Sequence, residues 1–284
     1  MTAAEEGVLL LCCRLGDPNC KPLTLPQFYE LGQRVFPALS GEDPLRQLST
    51  KDLTKLGYDE ARADEILRLL DRDGQLMDYL RKAEELDIYP LTRLSANYPQ
   101  KLRQALSYHT PAVLFYRGDL SLLQRPAVAV VGSRRLHPMN LSFARSMGQY
   151  VAQNKDVLVS GGAAGADLAA QDACIAADGK SVIFVADRLT AHTATHTLFL
   201  SADGYDIPFS NYRALDRNKL IHIHGEKSVA AQCTFGKGGT WQGCTENLKH
   251  GWSRLFVFDD GSKGAQALID QGATAIREPN EIDK

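Results

Sequence analysis

Seven short apolar runs, most of them rich in Val, Ile, Leu and Phe, follow one another after Asp87 and are separated by helical stretches and glycine turns. Apolar residues occupy consecutive positions in these runs, which is typical of strands covered on both faces. The runs are 112–116, 128–132, 157–161, 181–187, 199–203, 228–233 and 254–260. With helices as crossovers, the pattern predicts a doubly wound, mostly parallel α/β sheet over residues 88–284, with ligands at the carboxyl ends of the strands.

The first part of the chain has a different character. Apolar residues recur at helical spacing over residues 24–86, so we expect a small all-helical domain over residues 1–87. Residues 53–67 are similar to a degenerate helix-hairpin-helix, a motif that in its full form offers backbone N–H groups to a DNA phosphate. Here Gly57 is the single hairpin glycine and four carboxylates surround it, which favours a packing or partner-docking role over DNA contact.

The charge is divided unevenly along the chain. Residues 1–90 hold 11 Lys and Arg against 17 Asp and Glu, a net charge of −6. The totals of 32 basic and 34 acidic residues leave 21 and 17 for residues 91–284, a net charge of +4. Any anion-binding face should therefore lie in the larger C-terminal part.

The composition indicates neither a membrane protein nor a secreted one. No apolar stretch approaches the ~18 to 20 residues of a membrane span, and the acidic start MTAAEEG is unlike a secretory signal. The six cysteines form no CxxC pair, so we expect reduced thiols in a cytoplasmic protein. Two sets of residues could suggest zinc: Cys233 and Cys244 with two histidines, or His192 with His196. Neither set has the spacing of known zinc motifs, so no metal is predicted.

Two consecutive strands end in small-residue turns that precede helices, the first predicted from about Pro138 and the second over residues 168–177. Such turns leave backbone N–H groups near a helix N-terminus, which favours a phosphate, and they meet at one edge of a sheet. The second turn does not fit the dinucleotide fingerprint, so no nucleotide cofactor is predicted. The predicted phosphate contacts are Gly132, Ser133, Arg134, Ser160, Gly161, Gly162 and Gly165.

Two later segments carry further candidates. A helix around residues 214–223 offers Arg217, Asn218 and Lys219, with Leu215, Leu220 and Ile223 expected to face inward. A flexible loop follows the run at 228–233, and its glycines permit close backbone approach to an anion. The loop candidates are Lys237, Gly238, Gly239 and Thr240. Trp241 could stack on a base or belong to the core, and the sequence leaves both open.

Taken in this order, the segments resemble the DprA family of bacterial DNA-processing proteins, also called Smf. The similarity covers roughly residues 90–276, from Tyr98-Pro99 through the turn at Arg134 to residues 267–273. The resemblance implies a Rossmann-like domain, with the preceding acidic segment similar in placement to a sterile-alpha-motif-like domain. It further implies a homodimer that binds single-stranded DNA with little sequence preference, protects it and helps to load the RecA recombinase in transformation or recombination.

The sequence also departs from the family pattern. Ala164 stands where an arginine is usual, Gln171 where a histidine is common, and residues 236–240 replace a Ser-Gly-Ser loop. Gly238-Gly239-Thr240 with Glu246 resembles a motif of phosphoribohydrolases in the wider SLOG/LOG superfamily. The alternative function is therefore a nucleotide sensor or a nucleotide hydrolase, for example in phage defence. In a hydrolase, Glu246 or Asp167 would assist hydrolysis. Because neither a nucleophile elbow nor a P-loop is present, we expect no enzymatic activity.

Overall fold

The computed structural model describes residues 1–38, 45–193 and 195–284. The chain packs into two compact units. The first comprises Met1–Tyr116 with Ala202–Ile207, and the second comprises Arg117–Ser201 with Pro208–Lys284. The division into domains at residues 87 and 88 stays a prediction.

The first unit is mainly helical, as the apolar spacing predicts. Its helices are α1 (Ala3–Cys12), α2 (Leu25–Ala38), α3 (Thr50–Lys55), α4 (Glu60–Leu70), α5 (Asp73–Glu84) and α6 (Gln100–Leu106). The strands β1 (Tyr89–Thr92) and β2 (Val113–Arg117) pair antiparallel. Consecutive buried leucines of α1 and Leu31 of α2 contribute to the core.

The degenerate hairpin lies between α3 and α4. Gly57 makes the turn with φ +88°, a backbone conformation that favours glycine. Asp59 caps α4, and its carboxylate accepts a hydrogen bond from the Arg62 N–H at 2.8 Å. A carboxylate thus occupies the helix end at which a full motif would hold a phosphate.

The second unit is a parallel sheet with helices between its strands. Its strands are β3 (Ala127–Val131), β4 (Val157–Ser160), β5 (Lys180–Val185), β6 (Thr197–Ala202), β7 (Lys227–Ala230), β8 (Arg254–Phe258) and β9 (Thr274–Ile276). Its helices are α7 (Pro138–Gln153), α8 (Ala166–Ala176), α9 (Asn211–His224), α10 (Gly238–His250) and α11 (Lys263–Asp270). The order is β6-β5-β4-β3-β7-β8-β9, and neighbouring strands in it pair in parallel. The doubly wound α/β prediction is confirmed.

The central strands are buried on both faces, as their unbroken apolar runs predict. All residues of β3 and β4 are buried. On one side of the sheet, α7 and α8 pack over Val130, Leu158 and Val229, and Phe143 stacks on Phe258 with ring centroids 4.1 Å apart. Within the described residues, no helix is long and apolar enough to cross a lipid bilayer.

The strand order creates a topological switch beside β3. Strands β4, β5 and β6 extend the sheet to one side of β3, and α9 then returns the chain so that β7 pairs with the other side. Val130 of β3 pairs with Val229 of β7 in parallel register. Connections diverge where the order reverses, which leaves a crevice at the carboxyl ends of the strands.

Candidate functional site

A crevice of about 640 Å³ opens at this switch, within the volume range typical of ligand sites. It is walled by the segments after β3, β4 and β7 and by one face of α9. Residues predicted from the sequence that line it are Gly132, Ser133, Arg134, Arg217, Asn218, Lys237, Gly238, Gly239 and Thr240. Ser160, Gly161, Gly162, Gly165 and Lys219 do not line it.

The turn after β3 is fixed to the end of β7. Ser133 donates two hydrogen bonds to the Gln232 carbonyl, from its backbone N–H at 2.9 Å and from its hydroxyl at 3.2 Å. At Gly132 a Cβ would lie 2.4 Å from the Cβ of Ala166, so glycine lets this turn pack onto the start of α8. Ser133 therefore holds the turn together, with its donors already in use.

Arg134 and Arg135 project from this turn and are exposed. In the part of the chain that the structure describes, neither forms an ion pair. The Arg134 guanidinium lies 5.9 Å from the ring centroid of Phe209, which is 50% exposed. Sequence reasoning missed Arg135 and Phe209, although the doubled arginine after a glycine turn was a usable signal for the former.

The turn after β4 differs from the sequence prediction. The buried Asp167 carboxylate accepts hydrogen bonds from the N–H groups of Gly161 at 3.2 Å and Ala163 at 3.4 Å. The first N–H of α8, on Ala166, donates to the Ser133 carbonyl at 3.2 Å. A carboxylate of the protein thus occupies the Gly161 N–H, which we expected a phosphate to use, together with the N–H of Ala163.

Arg217 forms part of the crevice floor near Asp167. Its Nη1 donates to the Phe184 carbonyl at 2.8 Å, and its enclosed Nε has no hydrogen-bond partner among the described residues. Burial lowers the pKa of Arg217, with Asp167 opposing that effect, and burial raises the pKa of Asp167, with Arg217 opposing it. Arg217 therefore compensates a buried carboxylate as well as lining the crevice.

One face of α9 lines the crevice. Its residues at helical spacing are Asn211, Ala214, Leu215, Asn218, Ile221 and His222. Asn218 donates to the Gly239 carbonyl at 3.2 Å and so connects α9 to α10. The inward orientation predicted for Leu215 is wrong, because that side chain is 39% exposed in the crevice wall, whereas Leu220 and Ile223 are buried.

Lys219 and His222 of the same helix carry no positive charge into the crevice. Lys219 is ion-paired with Asp216 and lies off the lining face. His222 is buried and its Nδ1 shares a hydrogen bond of 2.9 Å with the Ser228 hydroxyl. Burial lowers the pKa of His222 to about 4, so its imidazole is neutral at pH 7.

The N-terminus of α10 is the open end of the site. Lys237 precedes the helix as its N-cap and is exposed, but no side chain caps α10. In the described residues, the N–H groups of Gly238, Gly239 and Thr240 have no acceptor. Unsatisfied N–H groups and the helix dipole make such an end an anion site.

The remaining candidates lie outside the crevice. Trp241 is half-buried and meets Phe235 edge-on at 5.1 Å, neither fully in the core nor in the lining. Glu246 is half-buried further along α10 and does not line the crevice. Cys233 and Cys244 are free thiols, and among the described residues no three His, Cys, Asp or Glu side chains cluster to hold a metal ion.

The family model described as DNA recombination-mediator protein A matches residues 90–284. The chain belongs to this family. The DNA processing protein DprA of Bacillus subtilis is 25% identical over 98% of this chain and 94% of its own length.

Two solved structures of such proteins are similar in fold. The X-ray structure of DNA processing protein A from Streptococcus pneumoniae has a TM-score of 0.71 and 24% identity, covering 92% of this chain and 97% of that chain. A structure describing the single-stranded DNA binding mode of DNA processing protein A from Helicobacter pylori has a TM-score of 0.60 and 25% identity, covering 69% and 93%.

Proposed function

We propose that the crevice binds the phosphate backbone of single-stranded DNA as part of a DNA-processing role. One observation carries the proposal: the uncapped N-terminus of α10 opens into a crevice that is also lined by the exposed cations Arg134, Arg135 and Lys237. Family membership supports the DNA-processing role, and the Helicobacter pylori relative supports the choice of single-stranded DNA.

The chemistry of these groups suits a strand of any sequence. Lysine, arginine and backbone N–H groups contact phosphates, which position a strand without reading its bases. Neutralising several phosphates releases counterions and makes affinity depend strongly on salt. The exposed rings of Phe209 and Tyr212, near the start of α9, suit stacking on bases of any identity.

We further propose that the site binds DNA without cleaving it. A carboxylate that acts as general base in hydrolysis must lie within hydrogen-bond reach of the proton that it abstracts. Asp167 lines the crevice, but one of its oxygens already accepts two backbone N–H groups, and Glu246 lies outside the lining. Neither carboxylate suits that task.

A mononucleotide ligand is the second candidate. The crevice volume of about 640 Å³ and the open end of α10 would also accommodate a small phosphorylated ligand. A competition experiment separates the two candidate ligands. It measures whether any of a panel of mononucleotides displaces a labelled poly-dT oligonucleotide from the protein. We expect submillimolar oligonucleotide binding that mononucleotides fail to displace; displacement by one mononucleotide would favour the second candidate.

The partners that we propose are a second copy of this chain and a RecA-type recombinase. The family description as a recombination mediator supports the recombinase. Light scattering at micromolar concentration should give the mass of a homodimer, and the protein should accelerate assembly of RecA on DNA coated with single-strand-binding protein. A monomer, or an unchanged assembly rate, would contradict the corresponding proposal.

A further inference from the structure

A second cleft, of about 410 Å³, lies at the carboxyl ends of β7 and β8 next to the crevice. Thr234 and Lys237 line both the crevice and the second cleft. Residues 234–237 form a tight turn in which the Lys237 N–H donates to the Thr234 carbonyl at 3.1 Å, and Gly236 has φ +68°. This turn, which we call the ridge, lies between the crevice and the second cleft, and Lys237 lines both of them.

The ridge presents an aromatic ring to the second cleft. Phe235 is 44% exposed, although Trp241 packs edge-on against it at 5.1 Å. The Lys263 Nζ lies over one face of the Phe235 ring, 4.5 Å from its centroid, so a base would stack on the other face. Sequence-tolerant binding of single strands combines exposed aromatic rings with nearby cations, because every base has a face that can stack.

The other groups of the cleft favour binding over chemistry. Burial raises the pKa of the Cys233 thiol to about 11, so it is protonated at pH 7 and weakly reactive. Burial would raise the pKa of Asp260, but hydrogen bonds from Ser262 and Asn140 outweigh it and keep the carboxylate ionised. The ionised Asp260 would repel a phosphate, whereas the ammonium groups of Lys237 and Lys263 would attract one.

We propose that a strand bound in the crevice continues over the ridge, stacks a base on Phe235 and places the adjoining phosphate at Lys263. The second cleft would thus extend the binding site by at least one nucleotide of any base. This inference rests on the proposed function. Two features carry it: Lys237 is shared between the crevice and the second cleft, and the second cleft presents an exposed ring beside lysines.

A length series of labelled oligothymidylates tests the proposal on the full chain. Phe235→Ala and Lys263→Ala should each weaken long oligonucleotides about tenfold and leave the shortest unaffected, while Phe235→Tyr retains wild-type affinity. Lys249→Ala, which removes an exposed charge from the last turn of α10, is the matched control and should change nothing. Thermal unfolding checks that each variant is folded.

A second measurement uses Trp241 as the reporter. In a Trp252→Phe background, long oligonucleotides should change the Trp241 fluorescence and the shortest should not, because a base stacking on Phe235 alters the neighbouring ring. The inference is overturned if both Ala variants bind every length as the wild type does while Arg134→Ala weakens them all. If the wild-type protein binds no oligonucleotide of any length, the proposed function itself fails.

Discussion

The guanidinium of Arg217 lies directly against the Cα of Gly161, where a Cβ would come within 1.5 Å of Nη1. The same Nη1 donates to the Phe184 carbonyl, so the side chain is held in place from the other side. Gly161 also donates its N–H to Asp167, whose charge Arg217 compensates. The turn after β4 therefore supports the crevice floor from within.

Gly161→Ala should consequently destabilise the protein, because the methyl group displaces Arg217 from its site. Overpacking of this kind costs roughly 1 to 3 kcal/mol, which thermal unfolding measures. Gly74→Ala in α5 is the control, since a Cβ there meets nothing within 4 Å, and it should be neutral or stabilising. A wild-type melting temperature for Gly161→Ala would show that Arg217 relocates freely.

Because His222 is buried in its neutral form, the protein should lose stability in mild acid. Its pKa lies at about 4 in the folded protein against 6.5 ordinarily, so the unfolded chain takes up a proton first. The contribution of neutral His222 to the free energy of unfolding is complete above pH 6.5 and is lost as the pH falls toward 4. The loss amounts to about 2 kcal/mol between pH 7.5 and 5. Unfolding of His222→Gln, followed as a function of pH, should show a shallower dependence than that of the wild type. Equal slopes for the two proteins would refute the assignment.

Thr240→Glu should weaken DNA binding without weakening the fold. A carboxylate in the first turn of α10 is favourable to the helix dipole but occupies the end that we assign to a phosphate. We expect a loss of about tenfold or more in oligonucleotide affinity, measured by fluorescence anisotropy, with an unchanged or higher melting temperature. Thr240→Gln has similar size and no charge, and it should bind nearly as the wild type does. Equal oligonucleotide affinities for the two variants would show that the N-terminus of α10 does not contact the strand.

Lys219→Ala should leave oligonucleotide affinity unchanged within about twofold, because its ammonium group is already paired with Asp216 outside the crevice. The same anisotropy titration measures this. A loss as large as that of Arg134→Ala would mean that Lys219 reaches the strand after all.

Much of the fold could be predicted from the pattern of apolar residues. Each predicted run overlaps a strand, because strands buried on both faces need unbroken apolar positions. The strands β1 and β9 were missed because neither is an unbroken buried run: β1 contains Pro90, and only Ile276 of β9 is buried. Helix α8 begins at Ala166, two residues before the predicted start, because the glycine turn runs directly into it.

The site was less predictable, since it depends on where side chains point. Arg217 and Lys219 are two residues apart on α9 and therefore face different directions, which the run Arg217-Asn218-Lys219 does not reveal. The two glycine turns look alike in sequence, yet Asp167 folds back onto the second and takes its donors. The segment after β7 leaves the N-terminus of α10 open, because no residue there has a side chain that caps the helix.

The salt dependence of oligonucleotide binding tests the central claim most directly. Log affinity should fall linearly with log salt, with a slope near −0.7 per phosphate neutralised on a single strand. Arg134→Ala and Lys237→Ala should each flatten that slope by about 0.7 and weaken poly-dT and mixed-sequence oligonucleotides equally, while Lys249→Ala should keep the wild-type slope. Unchanged slopes in both crevice variants, or a loss confined to one base composition, would contradict a phosphate-binding crevice.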